Sequence, residues 1–159
     1  MGTYIVQSDI ENVWGVDNVT KWANLDNADN LTALSRINAS ITYAEAVIND
    51  RFRAGGVYTV PLSGNSTNAL AVITDMAAKL AGIWLYRSRG VMDRATASDK
   101  MTAVMEEIFG DGKKKKGMLH EYASGVFEID AAKSSSSSRT DAPSVIGVVG
   151  VDTLPPLIA

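Results

Sequence analysis

His120 is the only histidine in the chain, and with Glu121 beside it the pair could serve as a general base. Acid–base and nucleophilic catalysis need such a base held within reach of a nucleophile or of the proton to be moved. With one imidazole and no cysteine, a two-histidine metal site, a thiolate metal site and a disulfide are all excluded. Gly110-Asp111-Gly112-Lys113-Lys114 has a superficial look of phosphate binding, but it lacks the first glycine spacing and the following Ser/Thr of a P-loop. Asp26-Asn27-Ala28-Asp29-Asn30 is similar to the start of a calcium loop. Its Ala28 fills a ligand position, and Ile37 falls where the bidentate glutamate belongs. The carboxylate pairs Asp9/Glu11 and Glu106/Glu107 suit helix capping and solvated helix faces. His120 itself reads as a solvated helix-surface residue. The expectation is no catalytic residue, no metal and no cofactor, hence no enzyme.

One charge feature stands out. Lys113, Lys114, Lys115 and Lys116 are consecutive, and four like charges in a row need solvent or an anion between them. The run reads either as a solvated turn or helix turn, or as a contact for phosphate or for an acidic partner. Arg87, Arg89 and Arg94 would add to it if the fold brings them to the same end. The whole chain carries a net charge of −3, so there is no global basic field for gripping nucleic acid. Enclosing DNA without holding it is compatible with that balance.

The elements that must position these residues follow from periodicity. A length of 159 residues suits one core rather than two. Ser8 and Glu11 form a capping box for a short helix ending at Gly15, and Asp17 caps a second over 18–25. Leu34, Ile37, Ile41, Ala44, Ile48 and Phe52 step by three and four, widened by Tyr43 and Val47, which predicts a long helix over 31–53 ending at Gly55 and Gly56. An extended piece over 57–60 stops at Pro61. A helix over 68–89 with Leu70, Ile73, Ala77, Leu80 and Trp84 inward is thin enough to be central. Another over 97–109 points Met101, Val104, Met105 and Ile108 inward. Residues 110–117 are ambiguous, lysines favouring helix and three glycines opposing it. A last short helix spans 118–123, and 126–129 alternates like a strand.

At 131 the composition turns to Ala-Ala-Lys and five serines, which reads as a flexible linker over 131–142. Beyond it, Val145, Ile146, Val148, Val149, Val151, Leu154, Leu157 and Ile158 make 143–159 an apolar docking tail. No apolar run reaches the roughly 18–20 residues of a membrane span, and residues 1–11 lack the pattern of a secretory signal. The expected fold is mainly α: a compact bundle of four to five helices over 1–130 with short extended segments, plus an extended C-terminal tail.

Several short patterns occur in one order. Tyr4 with Asp9-Ile10 opens the chain, Trp22-Ala23-Asn24-Leu25-Asp26-Asn27 follows, and Ala44 through Ile48 leads to Arg51-Phe52. Then come Tyr58-Thr59-Val60-Pro61-Leu62, a helix ending in Leu85-Tyr86-Arg87-Ser88-Arg89-Gly90, and Ala123-Ser124-Gly125 before an apolar residue. In this order and spacing, over residues 3–130, the chain resembles phage head–tail connector proteins (adaptor, or head-completion, proteins) of the Mu-like branch. The insertion at 110–117 and the serine linker with its apolar tail depart from that pattern. The resemblance implies a homo-oligomeric, dodecameric ring under the portal protein, extending the DNA channel and presenting a surface to a downstream neck or tail completion protein. It places the protein in the virion neck after assembly in the host cytoplasm, with DNA passing unread and no membrane involved. A ring has head-to-tail interfaces, and a tethered apolar tail can reach across one to a subunit or to the portal. The competing reading is a small DNA-binding regulator using the helices near 9–14 and 18–25, against which their acidic balance argues.

Overall fold

One helix is apolar on almost every side, and the rest of the chain packs around it. In the computed structural model, which describes residues 2–25, 30–66, 68–89, 99–112 and 115–134, helices α1 (Gln7–Trp14), α2 (Val16–Ala23), α3 (Asn30–Gly55), α4 (Ala71–Arg87), α5 (Asp99–Phe109) and α6 (Met118–Ala123) follow in order. The protein is a mainly helical bundle, as its periodicity predicts. In α4, Ile73, Met76, Ala77, Ala78, Leu80, Ala81, Gly82, Ile83 and Leu85 are all buried, and α1, α2, α3 and α5 each contact it. Its small residues let α1 lie close: Trp14 donates its indole N–H to the Ala78 carbonyl at 3.2 Å.

α3 lies against α4 through the predicted stripe. Ile37, Ile41, Ala44, Ile48 and Phe52 are buried, each large side chain contributing about 1.5–3 kcal/mol. Two members of the stripe behave differently: Leu34 is 46% exposed and Tyr43 is 47% exposed. The reason is where α4 stops. Arg36 Nη2 donates to Ser88 Oγ at 2.7 Å, just past the end of α4, and Leu34 lies beyond that contact. Tyr43 sits on the flank of α3 that carries Arg36, seven residues or about two turns away.

The helix starts also differ from expectation. Ser8 and Glu11 form no capping box. α1 begins at Gln7, and Asp9 Oδ2 accepts the Val6 N–H at 2.8 Å, closing the first turn two residues earlier. α2 begins at Val16 because Gly15, at φ 86°, turns the chain sharply enough for Val19 N–H to bond the Gly15 carbonyl at once. α4 is shorter than 68–89, with residues 68–70 in a turn before it.

The predicted strand at 126–129 is absent. Both Val126 and Phe127 donate their N–H to the Glu121 carbonyl, finishing α6 through the turn at Gly125, and both side chains are exposed. Pairing falls a few residues later. Tyr58 and Gly64 form antiparallel bridges with Lys133 and Ala131, supported by Thr59 N–H to the Ala132 carbonyl at 2.9 Å. Ser134 is fixed at the foot of α3, its N–H on the Val57 carbonyl and its Oγ on the Gly56 carbonyl. The packed chain therefore runs through Ser134, four residues past the expected boundary at 130, because Ile129 and Ala131 complete the core.

Candidate functional site

Residues 110–117 are not helical where they are described. Gly110 and Lys116 form an antiparallel bridge, Asp111 N–H donates to the Lys115 carbonyl at 3.2 Å, and Asp111 Oδ1 accepts the Lys115 N–H at 2.9 Å. Gly110 makes the reversal possible: its φ is +83°, and a Cβ there would lie 2.0 Å from the Lys115 carbonyl oxygen. This tight turn joins α5 to α6 and brings Lys115 and Lys116 onto the rim of an open cleft of about 310 Å³. Ile108, Phe109 and Leu119 supply its apolar surface, and Arg51 and His120 complete the rim.

Arg51 comes from α3, more than fifty residues away in sequence, and is held by the Phe109 ring, 5.9 Å from its guanidinium carbon. No ion pair joins Arg51, Lys115 or Lys116 to a described residue. The nearby acid on α5, Glu107, is taken by Lys79 at 3.2 Å. Burial alone would lower the Lys79 pKa, but its hydrogen bonds to Asp75 and Glu107 leave it raised. Glu107 and Glu121 border a second depression beside Lys115 and Lys116, so the lysines stand between an acidic and a basic side.

Phe109 is also one end of a second groove, about 270 Å³, between α3, α4 and α5. Leu80, Ile83 and Met105 line it together with Tyr43, Trp84 and Arg87. Tyr43 and Trp84 face each other with ring centroids 6.2 Å apart, and the Arg36 guanidinium lies 5.8 Å from the Trp84 ring. Phe109 is common to the walls of both hollows, a belt with Tyr43 and Trp84 in one hollow and Arg51, Lys115 and Lys116 in the other.

Of the residues singled out by sequence, Arg87, Lys115 and Lys116 fall on this belt. Arg89 does not: it borders a different hollow with Lys21, Trp22 and Asn24 of the α2 side. Lys113, Lys114, Arg94, the Asp26–Asn30 turn apart from the start of α3, and the tail residues Val145, Ile146, Val148, Val149, Val151, Leu154, Leu157 and Ile158 lie outside the described residues. Sequence reading missed Arg51, Tyr43 and Trp84 as surface residues. The available signal was Tyr43 at the margin of the α3 stripe together with Arg36 on the same flank, an amphipathic edge rather than a core position.

The chemistry this arrangement offers is recognition. His120 is exposed on the rim, and among the described residues no carboxylate or hydroxyl is bonded to its ring. Among the described residues, no cluster of three His, Asp or Glu side chains is placed to hold a metal ion. Among them, too, no helix is long and apolar enough to cross a membrane. Compared with protein-family models, curated proteins and solved structures, the chain matches none.

Proposed function

We propose that this protein is a structural assembly component, a head–tail connector that joins copies of itself to a portal and a downstream neck protein, and that it catalyses no reaction. The observation that carries the reading is the belt. Trp84, Tyr43, Phe109 and Met105 with Arg36 and Arg87 are the residue types that concentrate at interface hot spots, where rigid aromatic area and planar guanidinium groups are desolvated together. Tyr43, 47% exposed, lines this groove with its ring against Trp84, an exposed aromatic pair of the kind that marks an interaction patch. In a head-to-tail ring each subunit presents such a patch to the different face of its neighbour. The cationic end, where Arg51, Lys115 and Lys116 make no ion pair with a described residue, suits an acidic neighbour or passing DNA phosphate.

The DNA-binding regulator is the weaker reading. α1 and α2 meet across the single residue Gly15, whereas a helix-turn-helix uses a turn of three to four residues. Their charges are Asp9, Glu11, Asp17 and one lysine, Lys21, a poor surface for phosphate.

The test uses filled heads lacking this protein, scored for completion by electron microscopy. Wild-type protein is expected to complete them, and Tyr43→Asp and Arg87→Glu, both at exposed positions of the groove, to fold normally yet fail. Completion by both folded variants at the wild-type level would remove the case for the belt. Tight, sequence-specific binding to duplex DNA in a salt titration would favour the regulator instead.

A further inference from the structure

The belt is complementary to one segment of this same chain. Residues 141–159 carry Val145, Ile146, Val148, Val149 and Val151 in one run, and their only charged side chains are Asp141 and Asp152. The groove offers the opposite half of each property: apolar Leu80, Ile83 and Met105 in its lining, a cation in Arg87, and a second, Arg51, in the adjoining hollow that shares Phe109. A basic or strongly polar peptide would match neither.

The path is short enough. Ser134 is fixed beside Gly56 at the foot of α3. Measured along α3 from there, Arg51 is about 7.5 Å away and Tyr43 about 20 Å, at 1.5 Å per residue. Residues 135–144 reach at most ~35 Å, enough to pass round a helix about 10 Å across and deliver Val145 anywhere along the groove. Residues 145–151 then cover about 23 Å in extended form.

We infer that in the free subunit the Trp84–Phe109 groove is occupied by the subunit's own segment 145–151. This rests on the reading of that groove as a docking surface. The choice of its own segment over that of another copy is one of mass action. A short tether holds the segment at an effective concentration of roughly millimolar, which a second copy at micromolar concentration does not match. The consequence is a subunit whose assembly surface is covered until a portal or neighbouring subunit offers a better occupant, so that association is confined to the place where the neck is built.

Amide hydrogen exchange on the full-length chain tests this, at low micromolar concentration and again at a concentration ten times higher. Amides of 145–151 are expected to exchange about tenfold more slowly in the wild type than in the full-length Val148→Asp variant, the protection of a segment tethered at about ten times its dissociation constant. The slowing should be the same at both concentrations, and Arg87→Glu with Tyr43→Asp should abolish it while α3 and α4 stay protected. Equal exchange in wild type and Val148→Asp overturns the proposal. Slowing that grows with concentration also overturns it, because the segment then lies in another copy. The two readings separate cleanly. An unprotected tail with Tyr43→Asp still defective in head completion removes the self-occupied groove and leaves the connector. A protected tail with wild-type protein that does not complete heads removes the connector reading and leaves the groove's occupant.

Discussion

The indole of Trp14 lies against the backbone of Gly82: a Cβ added at Gly82 would stand 2.1 Å from Nε1 and 2.3 Å from Cδ1. α1 can approach α4 this closely only because position 82 has no side chain. Replacing glycine inside a helix by alanine ordinarily gains about 1 kcal/mol of helix propensity, whereas overpacking a filled core costs about 1–3 kcal/mol. Trp14 is itself pinned by its bond to Ala78 and by edge contact with Trp22 at 5.6 Å, so it has little room to yield. Gly82→Ala is therefore expected to lower stability, by about 2 kcal/mol at the upper end of the overpacking range. A denaturation midpoint equal to or above the wild type would show that α1 can simply move away.

That contact illustrates which parts of the structure were legible in the sequence. The small residues of α4 and the stripe of α3 predict a central helix and its main partner, because each rests on one helix's own periodicity. The contacts of Trp14 with Gly82, of Arg51 with Phe109 and of Tyr43 with Trp84 depend on how separate helices are set against each other. No local pattern encodes that. The pairing of 57–65 with 129–134 was missed for a similar reason. Alternation at Val126 and Phe127 suggested a strand, but the helix end at Gly125 takes their N–H groups first. The turn at 110–117 was undecided by propensity, and the crowding at Gly110 decides it. Of the four lysines, Lys115 and Lys116 lie on the rim of the hollow, while its other cation, Arg51, reads in sequence as an ordinary exposed residue of an amphipathic helix.

Tyr4 is a clasp between the N-terminus and the body of the bundle. Its phenol oxygen accepts the buried Leu62 N–H at 2.7 Å, and its hydroxyl donates to Asn49 Oδ1. Its own N–H reaches Glu45 at 2.6 Å, and its carbonyl accepts from Thr74 Oγ1 at 3.0 Å. Tyr4→Phe keeps the ring and strands the Leu62 amide, at an expected cost of about 1–3 kcal/mol. Burial raises the Tyr4 pKa above its ordinary 10.0; the Leu62 hydrogen bond opposes this and the Glu45 charge adds to it. The fold thus favours the neutral phenol. The stability it contributes is fully present below 10.0 and lost as the pH rises through the folded value. Urea titrations at rising alkaline pH should show a steeper loss in wild type than in Tyr4→Phe; parallel losses would place the alkaline sensitivity elsewhere.

At the other end of the pH scale the strap over 128–134 is the sensitive element. The Asn65 side chain donates to Asp130 Oδ1 at 3.0 Å and, with Ser66, lowers the Asp130 pKa; Lys133 at 2.9 Å lowers that of Glu128. Depressed carboxylates contribute stability above their ordinary values, 3.8 and 4.5, and lose it as the pH falls through their folded values. Both groups are fully exposed, so the effect is local. The Thr59 and Asn65 amides, bonded to the Ala132 and Asp130 carbonyls, should lose protection on acidification before those of α3 and α4. Asp130→Asn should flatten that pH dependence. Simultaneous loss of protection in strap and core would mean that the strap does not open by itself.

Phe109 is the position where packing and recognition can be told apart. It walls both hollows of the belt and carries Arg51 on its face, while Ile108 beside it is fully buried and holds α5 to the core. Phe109→Leu replaces most of the apolar volume and removes the ring face under the guanidinium, a contact worth about 0.5–1 kcal/mol at an exposed site. Phe109→Ala removes both, and for a half-buried ring the loss should be about 2 kcal/mol, below the 3–5 of a fully buried phenylalanine. The leucine variant is expected to fold almost as stably as wild type while the Arg51 side chain gains mobility, read by relaxation of its Nε–H. If the belt recognises its occupant through a pinned Arg51 as well as through apolar area, Phe109→Leu must weaken head completion despite its intact fold. A leucine variant that completes heads at the wild-type rate would assign recognition to the Trp84 end of the belt alone.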